Sequence, residues 1–166
     1  TVLMRHRGGR NTVCVSSQAG CALGCDFCLT ARAGFRRNLT AMEIVTQVLF
    51  FARFLKKSGA RVGNVVFMGM GEPFLNIQQV LDAVNILNHP DGLGIGARKI
   101  SISTVGIVPG IKKLARFPLQ VNLSFSLHAP DDDLRVRLMP ITRKYPLDRV
   151  FAALRSYSEI TGRKIM

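Results

Sequence analysis

Four cysteines, the only ones in the 166 residues, lie within a short stretch at Cys14, Cys21, Cys25 and Cys28. The last three read Cys21-Ala22-Leu23-Gly24-Cys25-Asp26-Phe27-Cys28, a spacing of three and then two residues. Disulfides are disfavoured by the tight spacing and by the lack of any secretory cue. No second cysteine pair follows, so a four-ligand zinc ribbon is not completed within this sequence. Three thiolates on one tight loop suit a four-iron, four-sulfur cubane: each holds one iron, and the fourth iron is left open to bind a substrate directly. Zinc completed by another segment, and thiols with no shared role, are the alternatives.

The other groups able to do chemistry fall just after β-like runs, the end at which parallel α/β folds bind ligands. Residues 69–73 read GMGEP: the glycines permit close backbone approach, and Glu72 can accept from a ligand ammonium. Taken alone, this could be an ordinary turn. Ser103 and Thr104 end one run; Ser126, Leu127 and His128 end the next. A lone histidine is more often a hydrogen-bonded structural one, and His128 is read as a contact lining a cavity. His6 and His89 have no distinguishing context.

Positioning these groups requires alternating strands and helices. β-branched runs predict strands over 11–17, 64–68, 99–104 and 120–127. Thr40 with Glu43 forms a capping box opening a helix of about 18 residues, with Ile44, Val48, Phe51 and Leu55 at helical spacing. Asn76 caps a second helix carrying Val80, Val84 and Leu87; Pro109 starts a short third, and Pro146 a fourth that Gly162 closes. Lys164 begins what reads as another strand. Repeated βα units imply parallel strands. In three of them the alternation sets small polar residues (Thr12, Cys14, Ser16; Ser101, Ser103; Asn122, Ser124, Ser126) against apolar ones. A doubly covered parallel sheet is apolar on both faces, so the expectation is an α/β fold: a partial, open β/α barrel with a ligand cavity inside and Cys14 facing it.

Hydrophobic residues make up 48% of the chain, which excludes a disordered tail. No apolar run approaches the ~20 residues of a membrane helix. The formal net charge is +13. Residues 1–40 carry six arginines against one aspartate, residues 41–97 are balanced, and residues 98–166 carry thirteen basic side chains against five acidic ones. A polyanionic partner, most simply nucleic acid, explains basic charge at both ends; a solvated basic surface is the plainer account.

The cysteine spacing, with an aromatic residue before the third cysteine, resembles the signature of the radical S-adenosylmethionine (SAM) superfamily. Segments 14–21 (CVSSQAGC), 69–73 (GMGEP), 101–106 (SISTVG), 126–130 (SLHAP) and 138–141 (LMPI) resemble, in order and across nearly the whole chain, the RlmN/Cfr family of RNA methyltransferases. The resemblance implies a radical SAM barrel with about four of its usual six βα units present. It implies that Cys21, Cys25 and Cys28 hold a [4Fe-4S] cluster whose open iron chelates S-adenosyl-L-methionine, and that one electron then cleaves the sulfonium to a 5′-deoxyadenosyl radical. Gly71, Glu72, Ser103, Ser126, Leu127 and His128 match the family's SAM contacts, and Phe27 would sit near the adenine, loop packing being its other role.

Cys14, seven residues before the first cluster ligand, matches the cysteine that resolves the family's covalent protein–RNA adduct; otherwise it is a small buried strand residue. The implied reaction is methylation of an adenine at carbon 2 in 23S rRNA and tRNA through a methyl-cysteine intermediate. Cfr-type methylation at carbon 8, a radical SAM enzyme with another substrate, and a non-enzymatic cysteine metal-binding nucleic-acid module are the alternatives. The implied partners are RNA and an electron donor such as flavodoxin, in a cytoplasmic, non-membrane monomer. The methyl-carrying cysteine is not in this sequence. The sequence therefore reads as a fragment: 1–10 a basic lead-in from an N-terminal domain, and 11–166 a core truncated at its C-terminus, inactive alone.

Overall fold

A computed structural model describes residues 1–166. The chain runs β1 (Val2–Arg5), β2 (Asn11–Cys14), β3 (Gln18–Gly20), α1 (Leu29–Arg32), β4 (Phe35–Asn38), α2 (Ala41–Lys56), β5 (Asn64–Phe67) and α3 (Ile77–Asn88). It continues with β6 (Ile100–Thr104), α4 (Val108–Ala115), β7 (Asn122–Phe125), α5 (Asp132–Leu138) and α6 (Leu147–Thr161). One sheet has the order β1-β2-β5-β6-β7, with β1 antiparallel to β2 and the other neighbours parallel; β3 and β4 form a separate antiparallel ribbon.

Period-two alternation sorts the sheet into two faces. Val13, Val65, Phe67, Ile100, Ile102 and Leu123 are all at most 1% exposed. They pack against Ile44 and Val48 of α2, Val80 and Val84 of α3, Ile111 of α4 and Val150 of α6, in one continuous core. Burying each such side chain contributes about 1.5–3 kcal/mol. On the other face, Cys14, Val66, Ser101 and Asn122 are matched across four parallel strands, and all four are only half-buried. The helices thus cover one side and leave the small, polar side open, as the alternation predicts. Four βα units are present, and Met166 already pairs with β7: its N–H donates to Leu123 O at 3.0 Å, and Phe125 N–H donates to its carbonyl at 2.8 Å.

Several elements differ from the sequence reading. The strand expected over 11–17 ends at Cys14, short of β3, because Ser16 and Ser17 leave the sheet to bind the 69–73 loop: the Ser16 hydroxyl accepts from Met70 N–H, and Ser17 N–H donates to Met70 O. Val2–Arg5, within the lead-in, forms an edge strand paired to β2 around a Gly8-Gly9 turn, an element the sequence reading did not place. Asn76 stands at the N-cap of α3 but makes no cap bond; its side-chain amide donates to Ser17 O and Leu39 O, both at 2.8 Å.

The capping box on α2 forms as expected. Thr40 Oγ1 accepts from Glu43 N–H at 3.2 Å, and the Glu43 carboxylate accepts from Thr40 N–H at 2.9 Å while pairing with Arg37. Arg37 and these cap bonds hold the Glu43 carboxyl down to about 2. A depressed carboxyl pKa stabilises the fold above the ordinary carboxylate range, and that contribution is lost as pH falls toward 2. Thr40→Ala removes the Oγ1 acceptor that caps Glu43 N–H and is expected to lower the unfolding free energy by about 1 kcal/mol. Glu43→Gln is expected to destabilise at pH 7 and to match the parent near pH 2, both read from denaturant midpoints.

Candidate functional site

The β3–β4 ribbon closes residues 20–34 into a loop that carries all three C-terminal cysteines. Cys21 N–H donates to Gly34 O at 3.2 Å, and a register shift between Ala19 and Gly20 turns the chain out of the ribbon. Within the loop, Cys28 N–H donates to Cys25 O, and Cys28 is the N-cap residue of α1. Asp26 N–H donates to Leu138 O at 2.9 Å, which ties the loop to the end of α5.

These thiols line a cavity of about 350 Å³ at the C-terminal ends of the strands. Phe27 joins Cys21, Cys25 and Cys28 on one wall. The same cavity is lined by Gly71 and Glu72 after β5, Ser103, Thr104 and Val105 around the end of β6, and Ser126 and His128 after β7. The hydroxyls of Ser103 and Ser126 are 3.2 Å apart. His128 is the only non-glycine residue with positive φ, at 58°, and its ring packs on Phe27 with centroids 4.8 Å apart.

All four thiols are free, and no three His, Cys, Asp or Glu side chains converge on one point as the ligands of a single ion would. Burial, then repulsion from Cys21 and Cys28, pushes the Cys25 thiol up to about 11. Burial likewise raises Cys21, against backbone contacts with Leu23 and Glu72. Burial of Cys21 and Cys25 in this way disfavours their charged forms unless a cationic group shares them.

Glu72 is 4% exposed. Its Oε1 accepts from Phe74 N–H and its Oε2 from Val105 N–H, both at 3.1 Å, so the carboxylate ties the β5 loop to the end of β6. Burial pushes it up to about 7, against the pull of Thr104, Val105 and Phe74. Glu72 N–H donates to Gln18 Oε1 at 2.9 Å. Gly71, at φ 96°, lies so near Gln18 that an added Cβ would fall 2.5 Å from that side chain.

Nine of the eleven candidate residues from the sequence thus meet on this cavity: Cys21, Cys25, Phe27, Cys28, Gly71, Glu72, Ser103, Ser126 and His128. Leu127 and Cys14 do not line it. The Leu127 side chain faces a groove with Phe125 and Phe151. Cys14 is on the open face of the sheet, beside the backbone of Met68, and burial raises its pKa. Gln18 and Arg135 were missed. Each supports the site through bonds to distant backbone groups, a relation that local spacing does not encode. Asp131, whose carboxylate caps α5 by accepting from Leu134 N–H at 2.8 Å, was the available signal for the helix that carries Arg135.

The Radical SAM superfamily matches residues 15–165, nearly the whole chain and every element that builds the cavity. The chain belongs to this superfamily. A crystal structure of a radical SAM methyltransferase from Sphaerobacter thermophilus is 50% identical, with a TM-score of 0.95 over 98% of this chain and 48% of that one. A "probable dual-specificity RNA methyltransferase RlmN" from Moorella thermoacetica is 51% identical over 99% of the chain, and one of the same name from Dictyoglomus thermophilum is 47% identical. The chain spans about half the length of these relatives, 48% and 47%. Streptococcus suis SuiB, solved bound to S-adenosylmethionine, shares the fold at a TM-score of 0.61 and 20% identity.

Proposed function

We propose that this chain is the cluster- and SAM-binding core of an RNA methyltransferase of the RlmN kind, which methylates carbon 2 of an adenine in 23S rRNA and in tRNA. The observation that carries the reading is the convergence of three free cysteines with the 69–73, 103–105 and 126–128 strand ends on one cavity. The names of relatives about half identical over 99% of the chain support the substrate class.

The donor set fits a [4Fe-4S] cluster. Cys21, Cys25 and Cys28 would each hold one iron, and their mutual repulsion as thiolates is relieved by the cationic irons. When bound, the cluster supplies the electron that cleaves the SAM sulfonium. The chain's own contribution is positioning. Gly71 lets a ligand approach the backbone after β5, Ser103 and Ser126 offer hydroxyls on the facing wall, and Phe27 with His128 closes the side next to the cysteine loop. Leu127, whose side chain faces another groove, would contribute only through its backbone, whose carbonyl accepts from Arg135 Nε. Cys14 would resolve the protein–RNA adduct.

The exposed arginines around the cysteine loop, Arg32 and Arg36, make no ion pair and suit a phosphate backbone. RNA, a flavodoxin-like electron donor, a monomeric state and a cytoplasmic location belong to the same reading. No helix is long and apolar enough to cross a membrane.

Anaerobic reconstitution tests it. About four irons per chain, with a spectrum that shifts on adding SAM, are expected. The full-length protein is then expected to transfer a methyl group to carbon 2 of adenine. Product at carbon 8 would move the assignment to the Cfr branch, and a colourless protein that takes up zinc would end it.

A further inference from the structure

Arg135 is the largest fully buried side chain in the protein, and it makes no ion pair. A buried guanidinium is costly to desolvate unless its donors are matched by fixed acceptors. Here they are matched by three backbone carbonyls and one hydroxyl. Nε donates to Leu127 O at 3.0 Å, Nη2 to Val105 O at 2.6 Å and more weakly to Ser126 O at 3.3 Å, and Nη1 to Thr142 Oγ1 at 2.9 Å. Its Cζ lies over the Phe125 ring, 5.4 Å from the centroid.

The three carbonyls belong to the chain just beyond β6 and β7, where the parallel ladder ends and strand acceptors lose their partners. Val105 and Ser126 line the cavity, and the turn fixed through Leu127 O leads directly into His128, the residue in the left-handed region. The His128 ring in turn packs on Phe27, between Cys25 and Cys28. Three residues after Arg135, Leu138 O accepts from Asp26 N–H of the cysteine loop. Helix α5 therefore braces both walls of the cavity: one through the Arg135 fork, the other through its last carbonyl.

We propose that Arg135 is a positioning residue for the SAM site, its guanidinium fork setting the Val105, Ser126 and Leu127 carbonyls and through them the place of His128 against the cysteine loop. The inference rests on the SAM-binding reading for its functional consequence, though not for the positioning itself. A packing role alone would be met by an apolar side chain of similar volume, and a charge role alone by lysine. The planar fork that reaches four acceptors belongs to arginine.

The test uses full-length protein, reconstituted with its cluster, carrying Arg135→Lys or Arg135→Met. Iron per chain is expected to stay at the parent value while equilibrium SAM affinity falls about 10- to 100-fold, the usual cost of losing a group that orients a site. Lysine is expected to restore none of it. Parent-like SAM affinity in Arg135→Lys overturns the proposal. If both variants aggregate, Thr142→Val decides, since it removes only the far anchor of the fork: a several-fold loss of SAM affinity supports the proposal, and unchanged affinity overturns it. Hydrogen exchange on the same proteins without SAM reads the positioning directly. Faster exchange confined to 126–128 and 25–28, with β5 and β6 unchanged, is expected, and unaltered exchange there overturns the proposal. Parent protein that binds no SAM would sink the functional reading and leave the exchange result to decide the role of Arg135.

Discussion

Gly20→Ala is expected to strip the protein of most of its iron while leaving its helices folded. Gly20 sits at φ 83°, where the β3–β4 ribbon shifts register and hands the chain to Cys21. An added Cβ would lie 1.7 Å from Gly34 O and 3.1 Å from the Phe35 Cα. Both obstacles are backbone, so no side chain can turn aside, and the ribbon has to open at the base of the cysteine loop. The Cys21 N–H bond to Gly34 O is lost in the same movement. The helices pack on the far side of the main sheet, so far-UV circular dichroism is expected to stay near the parent. Iron after reconstitution is expected to drop from about four per chain to below about one. Gly34→Ala is the control: φ is 70°, but no atom lies within 4 Å of the added Cβ. It is expected to cost about 1–2 kcal/mol of backbone strain and to keep its iron. A full iron complement in Gly20→Ala would mean that the ribbon does not shape the loop.

What could be read from the sequence divides along physical lines. Where one residue's surroundings are set by its near neighbours, reading worked: Thr40 and Glu43 cap α2 through bonds spanning three positions, and Gly162 closes α6 at φ 66°. The alternation of Ser101 and Ser103 with Ile100 and Ile102 reported an open sheet face correctly, because period two is a property of the strand itself. Elements whose partners are remote were lost. β3 and β4 are short and largely polar, and nothing in Phe35-Arg36-Arg37-Asn38 announces that it pairs with residues 18–20. β1 was legible in principle, since Gly8-Gly9 between two β-branched or apolar runs is a hairpin signal, but its basic flanks suggested a lead-in from a preceding domain. Glu72 was found for its motif, yet its first duty, accepting from the backbone of Phe74 and Val105, depends on a chain segment 33 positions away. Arg135 shows the limit most plainly. Among thirteen basic residues in 98–166, only the fold distinguishes the one that is fully buried.

Under the proposed RNA methyltransferase reading, Cys14→Ala in the full-length protein is expected to leave iron content and SAM cleavage at parent levels while RNA methylation falls by about a hundredfold or more, the scale of a lost acid–base group. The separation follows from where the thiol sits. Cys14 is matched with Val66 on β5, and Val66 lies two residues before Met68, which lines the cavity. Two residues of strand span about 6.6 Å, so Cys14 stands one step below the cavity, too far down the sheet to share in the cysteine loop. It is on the same open face as Ser101 and Asn122, however, and its thiol contacts the Met68 backbone. A group so placed can act on a substrate lying over the sheet without taking part in holding the cluster. Burial raises its pKa, so the resting group at neutral pH is a thiol rather than a thiolate. Alanine fits the space that a half-buried cysteine leaves, and the flanking Val13 and Val15 keep the strand in the core, so loss of folding does not confound the result. Under the adduct-resolving role, the variant retains RNA in a covalent complex that survives denaturing gels. Unimpaired methylation would reduce Cys14 to a small strand residue, and loss of the cluster would draw it into the metal site and overturn the division of labour between Cys14 and the three cysteines of the loop.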